Sequence, residues 1–385
     1  MNNLKGRFPF NKVNRVLIFL LFLFIKINLL AQYYPPSFYR NVKVDSSKVN
    51  TLELRIENSN FLKNDEYFNN IVVGYTLLGY NLNPKLVYYP TKNLSFEAGV
   101  HFLKYSGVDQ FTKVLPTLSV HYQAAKWAEI ILGTLNGTTN HEMIEPIFNY
   151  EYFFTNNVEN GLQFLFDTHW YKGDIWVNWQ QFLFQGDHKQ EIFTVGLSNR
   201  FYLNGQHKVH SLSIPFQVIY VHHGGQINTG AFDVTTRNNT AIGLNYTYKP
   251  SGSFLKSASL ESQYTLFKDM SSAHLLRYIE GYGIYTVADV KASYFDLSVS
   301  HWYGNFFLSE RGDPIFLCAS TYIPGYVEPQ RALINCRLMF EKNIMKGLDV
   351  GAGFETYSDL YNYTADYWYM FYIHFNRDFF IKKFK

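Results

Sequence analysis

Apolar and polar residues alternate along almost the whole chain. In the stretch EIFTVGLSNRFYL, residues 191–203, the odd positions are mostly apolar and the even positions are mostly small or polar. A period of two places successive side chains on opposite faces of a β-strand, so the stretch predicts a strand with one apolar face. The apolar face carries Phe193, Val195 and Leu197, and the polar face carries Thr194, Ser198 and Arg200.

The same alternation returns in many segments that are separated by two kinds of connection. Some connections are short and polar, as at 90–93 and 204–206, and others are long. Short and long connections largely alternate, which is typical of outer-membrane barrels with short periplasmic turns and longer extracellular loops. Counting hairpins in this way predicts about 16 strands, with the strand-like stretches 146–155 and 314–323 assigned to loops. The predicted long connections are 58–73, 137–158, 222–239, 268–280 and 304–330.

The composition decides what the apolar faces contact. Charged residues make up only 17% of the 385 residues, whereas aromatic residues make up 19%. A soluble β-sandwich also alternates, but its solvent face carries many charges, whereas here the polar faces are mainly Gly, Ser, Thr, Asn and Gln. Strands in lipid must close because no backbone edge can remain unpaired there. The prediction is an all-β, transmembrane, antiparallel up-and-down β-barrel, and a secreted soluble β-protein is the alternative.

The two ends of the chain predict its compartment. Residues 1–31 combine basic residues, a short apolar run and Ala31, which is the pattern of a cleaved secretory signal peptide. A retained N-terminal anchor is the alternative. The predicted organisation continues with a periplasmic leader at 32–48, a barrel at 49–377 and a basic C-terminal tail at 378–385, in the outer membrane of a Gram-negative bacterium.

Several segments resemble uncharacterised, porin-like outer-membrane β-barrel proteins of the Bacteroidetes. They are the signal ending LLAQ, the stretches GYTLLGYNLNPKLVYYPTKN, NVENGLQFLF, WVNWQQFLF and HHGGQI, and the closing HFNRDFF. The resemblance covers nearly all of the mature chain. It implies a compartment and an architecture, and it brings no functional residues.

Charge and cysteine content narrow the possible partners. The net charge is +3 and no dense basic block is present, so nucleic acid is not an expected partner. Cys318 and Cys336 are the two cysteines, and they form either a disulfide or two free thiols. No Cys/His metal spacing occurs, so neither a metal nor a cofactor is predicted.

A search for catalytic residues finds no convincing set. Suitable residue types occur at His210 and Ser211 and in the run Asp167–His169. Neither set lies in a motif whose spacing has a known mechanical reason for catalysis. The chain is therefore expected not to be an enzyme.

The predicted function rests on the residues expected to face the lumen. These residues carry both positive and negative charges, which suits a porin-like channel for small polar solutes with weak cation preference or none. The alternative is a non-conducting barrel whose long loops bind an envelope or surface protein partner. A long loop opening with His223, Gly224, Gly225 and Gln226 is predicted to fold inward as a constriction. The predicted lumen-facing residues are Glu53, Arg55, Lys85, Glu97, Glu129, Asp167, Arg200, Glu261, Asp289, Lys291, Arg337, Asp349 and Glu355.

Overall fold

The computed structural model describes residues 36–39, 44–225, 232–252 and 254–385. Over these residues the chain forms a closed barrel of 16 antiparallel strands, in which each strand pairs with its neighbours in sequence and β16 pairs with β1. This confirms the predicted fold class and strand number. The strands are β1 (Thr51–Glu66), β2 (Thr76–Thr91), β3 (Leu94–Tyr105), β4 (Lys113–Ala125), β5 (Ala128–Thr134), β6 (Asn160–Asp167), β7 (Tyr171–Gln181), β8 (Ile192–Tyr202), β9 (His210–His223), β10 (Thr235–Tyr248), β11 (Leu255–Asp269), β12 (Glu280–Ala292), β13 (Phe295–Asn305), β14 (Gln330–Met345), β15 (Leu348–Asp359) and β16 (Ala365–Lys383).

The helices within the described residues are short and do not form part of the barrel wall. None of these helices is long and apolar enough to cross a membrane. The strand-like stretches 146–155 and 314–323 are indeed in loops, because they contain helical turns and no barrel strand. The helices are α1 (Tyr152–Thr155) and three 3-10 turns at Pro36–Phe38, Thr138–His141 and Pro314–Phe316.

The barrel buries its polar faces and exposes its apolar ones. In β1 the inward positions include Glu53 and Arg55, both more than nine-tenths buried. The outward positions of other strands carry exposed apolar side chains such as Leu118 and Leu244. This inverted distribution is what a bilayer requires of a barrel wall, because the outer surface must be apolar.

Two long connections enter the lumen and fill it. We call residues 135–159 the first lumen segment and residues 306–329 the second lumen segment. Ile144 and Ile147 in the first, and Phe307 and Phe316 in the second, are completely buried. The barrel therefore contains an apolar core made by its own loops, as well as the polar faces of its strands.

Part of the predicted periplasmic leader also lies inside the barrel. Phe38 is buried, and its ring centroid lies 4.4 Å from that of Phe153 in α1 and 4.8 Å from that of Tyr372 on β16. The Thr139 hydroxyl donates to the Phe38 carbonyl at 2.6 Å. The predicted signal peptide at 1–31 lies outside the described residues.

The last strand is longer than the sequence suggested. β16 continues to Lys383, where it pairs with Thr51 of β1. The predicted end of the barrel at residue 377 is therefore too early. Most of the predicted basic tail, 378–383, is held in the sheet by backbone hydrogen bonds to β1.

The wall is uneven at one place. β5 has 7 residues and β6 has 8, whereas the other strands have at least 11. Near the end of these two short strands Gly133 pairs with Gly161. Gly133 has φ +100°, and a Cβ at either glycine would strike a backbone carbonyl of the adjacent strand. These glycines let the chain leave the wall early and turn into the lumen.

The two cysteines are free thiols. Cys318 is buried in the second lumen segment, while Cys336 lies on β14 and is exposed. The disulfide that the sequence left open is absent.

Candidate functional site

Adjacent strands β4 and β5 bring a serine, a histidine and a carboxylate together on the lumen face. Ser119 and His121 lie two residues apart on β4, so both point inward. β4 and β5 are joined by a tight turn, and Gln123 pairs with Glu129 across them. Glu129 is therefore the diagonal neighbour of His121 on the same face.

These three side chains are linked by hydrogen bonds in the order of a catalytic triad. The Ser119 hydroxyl lies 3.0 Å from His121 Nε2, and His121 Nδ1 lies 2.9 Å from Glu129 Oε1. All three residues are more than nine-tenths buried. When Nδ1 donates its hydrogen to the carboxylate, Nε2 is left as an acceptor for the serine proton. The arrangement can thus activate a hydroxyl nucleophile.

The serine hydroxyl has a second acceptor at rest. It lies 2.6 Å from the carbonyl oxygen of Thr134, the last residue of β5. Rotation about the Cβ–Oγ bond turns the hydroxyl hydrogen from this carbonyl towards His121 Nε2. Ser119 is therefore held at the place where the short strand ends.

A small cavity adjoins Ser119. Its volume is about 10 Å³, close to the space of one water molecule. Lys85, Thr117 and Asn136 are among its lining residues. The Thr117 hydroxyl is buried and has no hydrogen-bond partner among the described residues. The cavity thus offers an unused polar group beside the candidate nucleophile.

A larger cavity lies towards the short-turn end of the barrel. It has a volume of about 300 Å³ and is lined by Glu129, Asn136 and turn residues such as Lys126 and Trp127. Asn136 lines both this cavity and the small one. The candidate site is therefore adjacent to a space large enough for several water molecules.

A second histidine, His141, has a different environment. Its Nδ1 lies 2.7 Å from Asp174, its Nε2 lies 3.4 Å from Glu159, and its ring stacks on Trp176 with centroids 3.5 Å apart. Burial by itself lowers the pKa of His141, but the two carboxylates outweigh it and raise the pKa to about 9. With this pKa, His141 is a cation at neutral pH, and no serine or cysteine among the described residues bonds to its ring.

Two of the predicted lumen-facing residues, Lys85 and Glu97, line the small cavity beside Ser119. Arg55 lies 2.6 Å from Glu97, and Lys85 lies 3.2 Å from Glu57 and 3.7 Å from Glu97. With Glu129 they form one polar region on β1 to β5.

The other predicted lumen-facing residues are distributed around the barrel and have partners. Asp167 is exposed at the end of β6 and accepts a hydrogen bond from Gln206. The pairing leaves a lumen crossed by ion pairs rather than lined by one sign of charge. The ion pairs are Glu53 with Lys48, Arg200 with Glu261, Arg337 with Glu355, and Lys291 with Asp296, while Asp289 accepts a hydrogen bond from Ser298 and Asp349 accepts one from Asn343.

The predicted constriction loop is described only as far as Gly225, so its role as a constriction stays a prediction. His223 ends β9 and contacts Glu310, and Gly224 and Gly225 follow it. Gln226 lies outside the described residues. Among the described residues, the first and second lumen segments fill the lumen, because their apolar side chains need burial.

The sequence search missed Ser119 and His121. The run Ser-Val-His lies in an alternating strand, so the period of two already placed both residues on one face. What was not visible was the register that sets Glu129 beside them. The pairs that the search did weigh are not relays in the structure: His210 bonds Tyr246, and Ser211 donates to the Gly205 carbonyl. Within the described residues no cluster of His, Cys, Asp and Glu is arranged to hold a metal ion.

Comparison with solved structures identifies the kind of barrel. A crystal structure of the outer-membrane protein OprD from Pseudomonas aeruginosa is 7% identical, with a TM-score of 0.50 over 91% of this chain and 98% of that chain. An improved crystal structure of Pseudomonas aeruginosa OprD is 9% identical, with a TM-score of 0.51 over 87% and 98%. At such identities the likeness shows the outer-membrane barrel fold alone. A comparison with curated protein sequences finds no match.

Residues 44–384 match the model of a family described as Lipid A 3′-O-deacylase-type. The match overturns the expectation that the chain is not an enzyme, because the family is described by an enzymatic activity. The expectation rested on short motifs, and the residues of the Ser119 site are joined by strand register rather than by a motif. An origin in the Bacteroidetes stays a prediction.

Proposed function

Because the chain belongs to the Lipid A 3′-O-deacylase-type family, we propose that it is an outer-membrane hydrolase that removes ester-linked acyl chains from a lipid A-type glycolipid. The observation that carries the proposal is the linked set of Ser119, His121 and Glu129. In this proposal Ser119 is the nucleophile, His121 the general base and Glu129 the group that orients the imidazole.

The first half of the reaction forms an acyl-enzyme. Ser119 Oγ attacks the ester carbonyl carbon while His121 Nε2 takes the hydroxyl proton. The tetrahedral intermediate then collapses, the bond to the sugar oxygen breaks, and His121 returns the proton to that oxygen. Glu129 stays ionised and stabilises the imidazolium through its contact with Nδ1.

The second half releases the fatty acid. A water molecule attacks the acyl-Ser119 carbonyl, His121 accepts its proton, and collapse restores the serine hydroxyl and frees a carboxylic acid. The cavity of about 300 Å³ beside Glu129 and Asn136 is the nearest reservoir for this water. Lys85 on the wall of the small cavity is the cation placed to face the charge that develops on the carbonyl oxygen.

The compartment follows from the fold in this proposal. Residues 1–31 act as a cleaved signal peptide, the short turns face the periplasm, and the long loops face the exterior. The outward apolar surface contacts the lipid of the outer membrane.

Passive passage of small polar solutes is less well supported. A channel needs a continuous aqueous path, and here the lumen segments and Phe38 occupy the interior with apolar side chains. A protein partner for the long loops stays a prediction.

The proposal is tested by expressing the native chain in cells that carry lipopolysaccharide and measuring lipid A by mass spectrometry. The expected product is lipid A that has lost one or more ester-linked acyl chains, together with free fatty acid. Ser119→Ala is expected to abolish this change, since loss of a triad nucleophile lowers the rate by on the order of 10⁴-fold or more.

Ser259→Ala is the matched control. Ser259 is a buried, inward-facing serine on β11, away from the site, so its variant should keep full activity. Unmodified lipid A with the folded native chain, or equal activity of the Ser119 variant, would contradict the proposed function.

A further inference from the structure

The unevenness of the barrel wall lies directly beside Ser119. β4 pairs with β5 only up to Ser119, which is opposite Gly133, so residues 113–118 of β4 have no backbone pairing partner on β5. β6 likewise pairs with β7 only up to Asn178, opposite Gly161. A gap therefore opens in the wall between β4 and β7, at the long-loop end of the barrel. We call this gap, bounded by residues 113–118, Thr134 and Asn160, the side window.

The short strands do not reach across a bilayer. The 7 residues of β5 span about 23 Å along the strand, or about 17 Å along the membrane normal at the usual barrel tilt. The apolar band of a membrane barrel is about 25 Å tall. β5 begins at a short turn, so the missing height is at the long-loop end. The side window therefore opens into the acyl region of the outer leaflet.

The rim and the lining of the side window suit a lipid chain. Its outward rim carries the apolar side chains of Val114, Leu118 and Leu132, each more than half exposed. Along the inward face of β4, Leu115 is partly exposed, Thr117 is buried and Ser119 is buried. The exposure thus falls step by step from the outer end of β4 to the candidate nucleophile.

The side window has a defined closure. Lys113 Nζ donates to the Thr155 carbonyl and to Asn156 Oδ1, both at 2.9 Å, and so ties the end of the first lumen segment to β4. At the lower border the Leu118 amide donates to Thr134 Oγ1 at 3.3 Å, which satisfies one of the backbone groups that the missing strand leaves unpaired. Side-chain contacts rather than a backbone ladder therefore close this part of the wall.

We infer that the side window admits an acyl chain of an outer-leaflet lipid sideways from the bilayer to Ser119. This inference rests on the proposed function, because it gives the route by which the lipid substrate of that reaction reaches Ser119. A bilayer lipid reaches a buried serine in this way without leaving the membrane or crossing the filled lumen. The occupant is an acyl chain because the rim is apolar and lies at acyl depth.

Thiol labelling in lipid vesicles tests the route without requiring hydrolysis. The native chain is the positive control, because Cys336 is exposed on the outer surface and should react with a maleimide carried on a long alkyl chain. All other variants are made in a Cys318→Ala, Cys336→Ala background. Folding is checked for each variant by heat-dependent electrophoretic mobility.

The test compares Thr117→Cys with Thr265→Cys. Both threonines are inward-facing and buried, and their hydroxyls have no hydrogen-bond partner among the described residues, but Thr265 on β11 is paired on both sides, with Ala241 of β10 and Gly283 of β12. We expect the alkyl maleimide to label Thr117→Cys faster by about tenfold or more, since the enclosed position reacts only through rare local opening. A charged, water-soluble maleimide should not show this preference.

Equal labelling of the two variants, no labelling of Thr117→Cys, or labelling by the charged reagent alone would each overturn the inference. Failure of the proposed function gives a different result. In that case Thr117→Cys is labelled from the bilayer as expected, while Ser119→Ala leaves the lipid products of the cells unchanged.

Discussion

His121 Nδ1 lies 2.9 Å from Glu129 Oε1, and this contact joins β4 to β5 across the lumen face of the barrel. It fixes the imidazole with Nε2 towards Ser119. A carboxylate in this position sets the tautomer and stabilises the imidazolium that forms during proton transfer.

Glu129→Gln is therefore expected to lower deacylation by on the order of 10³- to 10⁴-fold while leaving the barrel folded, because the amide can favour the wrong tautomer. The measurement is the rate of fatty acid release from lipid A-containing vesicles. Gln263→Ala, which alters a buried inward residue on β11, serves as the control. Unchanged release from the Glu129 variant would remove this residue from the mechanism.

His141 predicts a pH-dependent stability. Its pKa of about 9 exceeds the ordinary value of 6.5 because Asp174 and Glu159 stabilise the charged form. A raised folded-state pKa stabilises the protein fully below about pH 6.5, and this stabilisation is lost as the pH rises through about 9.

The free energy of unfolding should thus fall by about 3 kcal/mol between pH 6.5 and 10. Urea unfolding in vesicles, followed by tryptophan fluorescence, measures this. His141→Gln should lose that part of the pH dependence. The same slope in both proteins would mean that other groups cause it.

The filled lumen predicts low conductance. In planar bilayers the native chain should show little ion current, because the first lumen segment places Ile144 and Ile147 in the interior. Replacing residues 138–157 by a short Gly/Ser linker should produce discrete conductance steps, since a barrel of 16 strands is wide enough for an aqueous channel.

Shortening the connection 270–279 is the control, because most of its side chains are exposed. Large steady currents through the native chain would restore the porin hypothesis.

The ion pairs of Arg337 join the barrel wall to the first lumen segment, so we expect Arg337 to contribute strongly to stability. It lies 2.9 Å from Glu355 on β15 and also contacts Glu145 of that segment, and all three residues are buried. Arg337→Met should destabilise the protein by about 3 to 5 kcal/mol, because it leaves buried carboxylates without a cation.

Adding Glu145→Gln and Glu355→Gln to Arg337→Met should recover much of this loss. The free energies of unfolding of the single and triple variants decide the matter. A triple variant that is less stable than Arg337→Met would show that the carboxylates contribute through other contacts.

The sequence by itself determined which way each strand residue faces. Alternation along a β-strand is set by local backbone geometry, so Arg55, Lys85, Glu97 and Glu129 were placed on the lumen side before any pairing was known. The even number of strands followed from the same local signal, because short and long connections alternate. Ser119 and His121 could have been grouped in the same way, since they are two residues apart in a strand.

Only the tertiary structure decided what lies opposite those residues. The contact of His121 with Glu129 depends on the β4–β5 register, and the burial of Phe38 against Phe153 joins residues far apart in sequence. The ends of β5 and β6 lie close to the predicted connection 137–158, but the gap that this leaves between β4 and β7 depends on strand registers that the sequence does not show. Face and period are local properties of the backbone, whereas register, lumen filling and the height of the wall depend on long-range contacts.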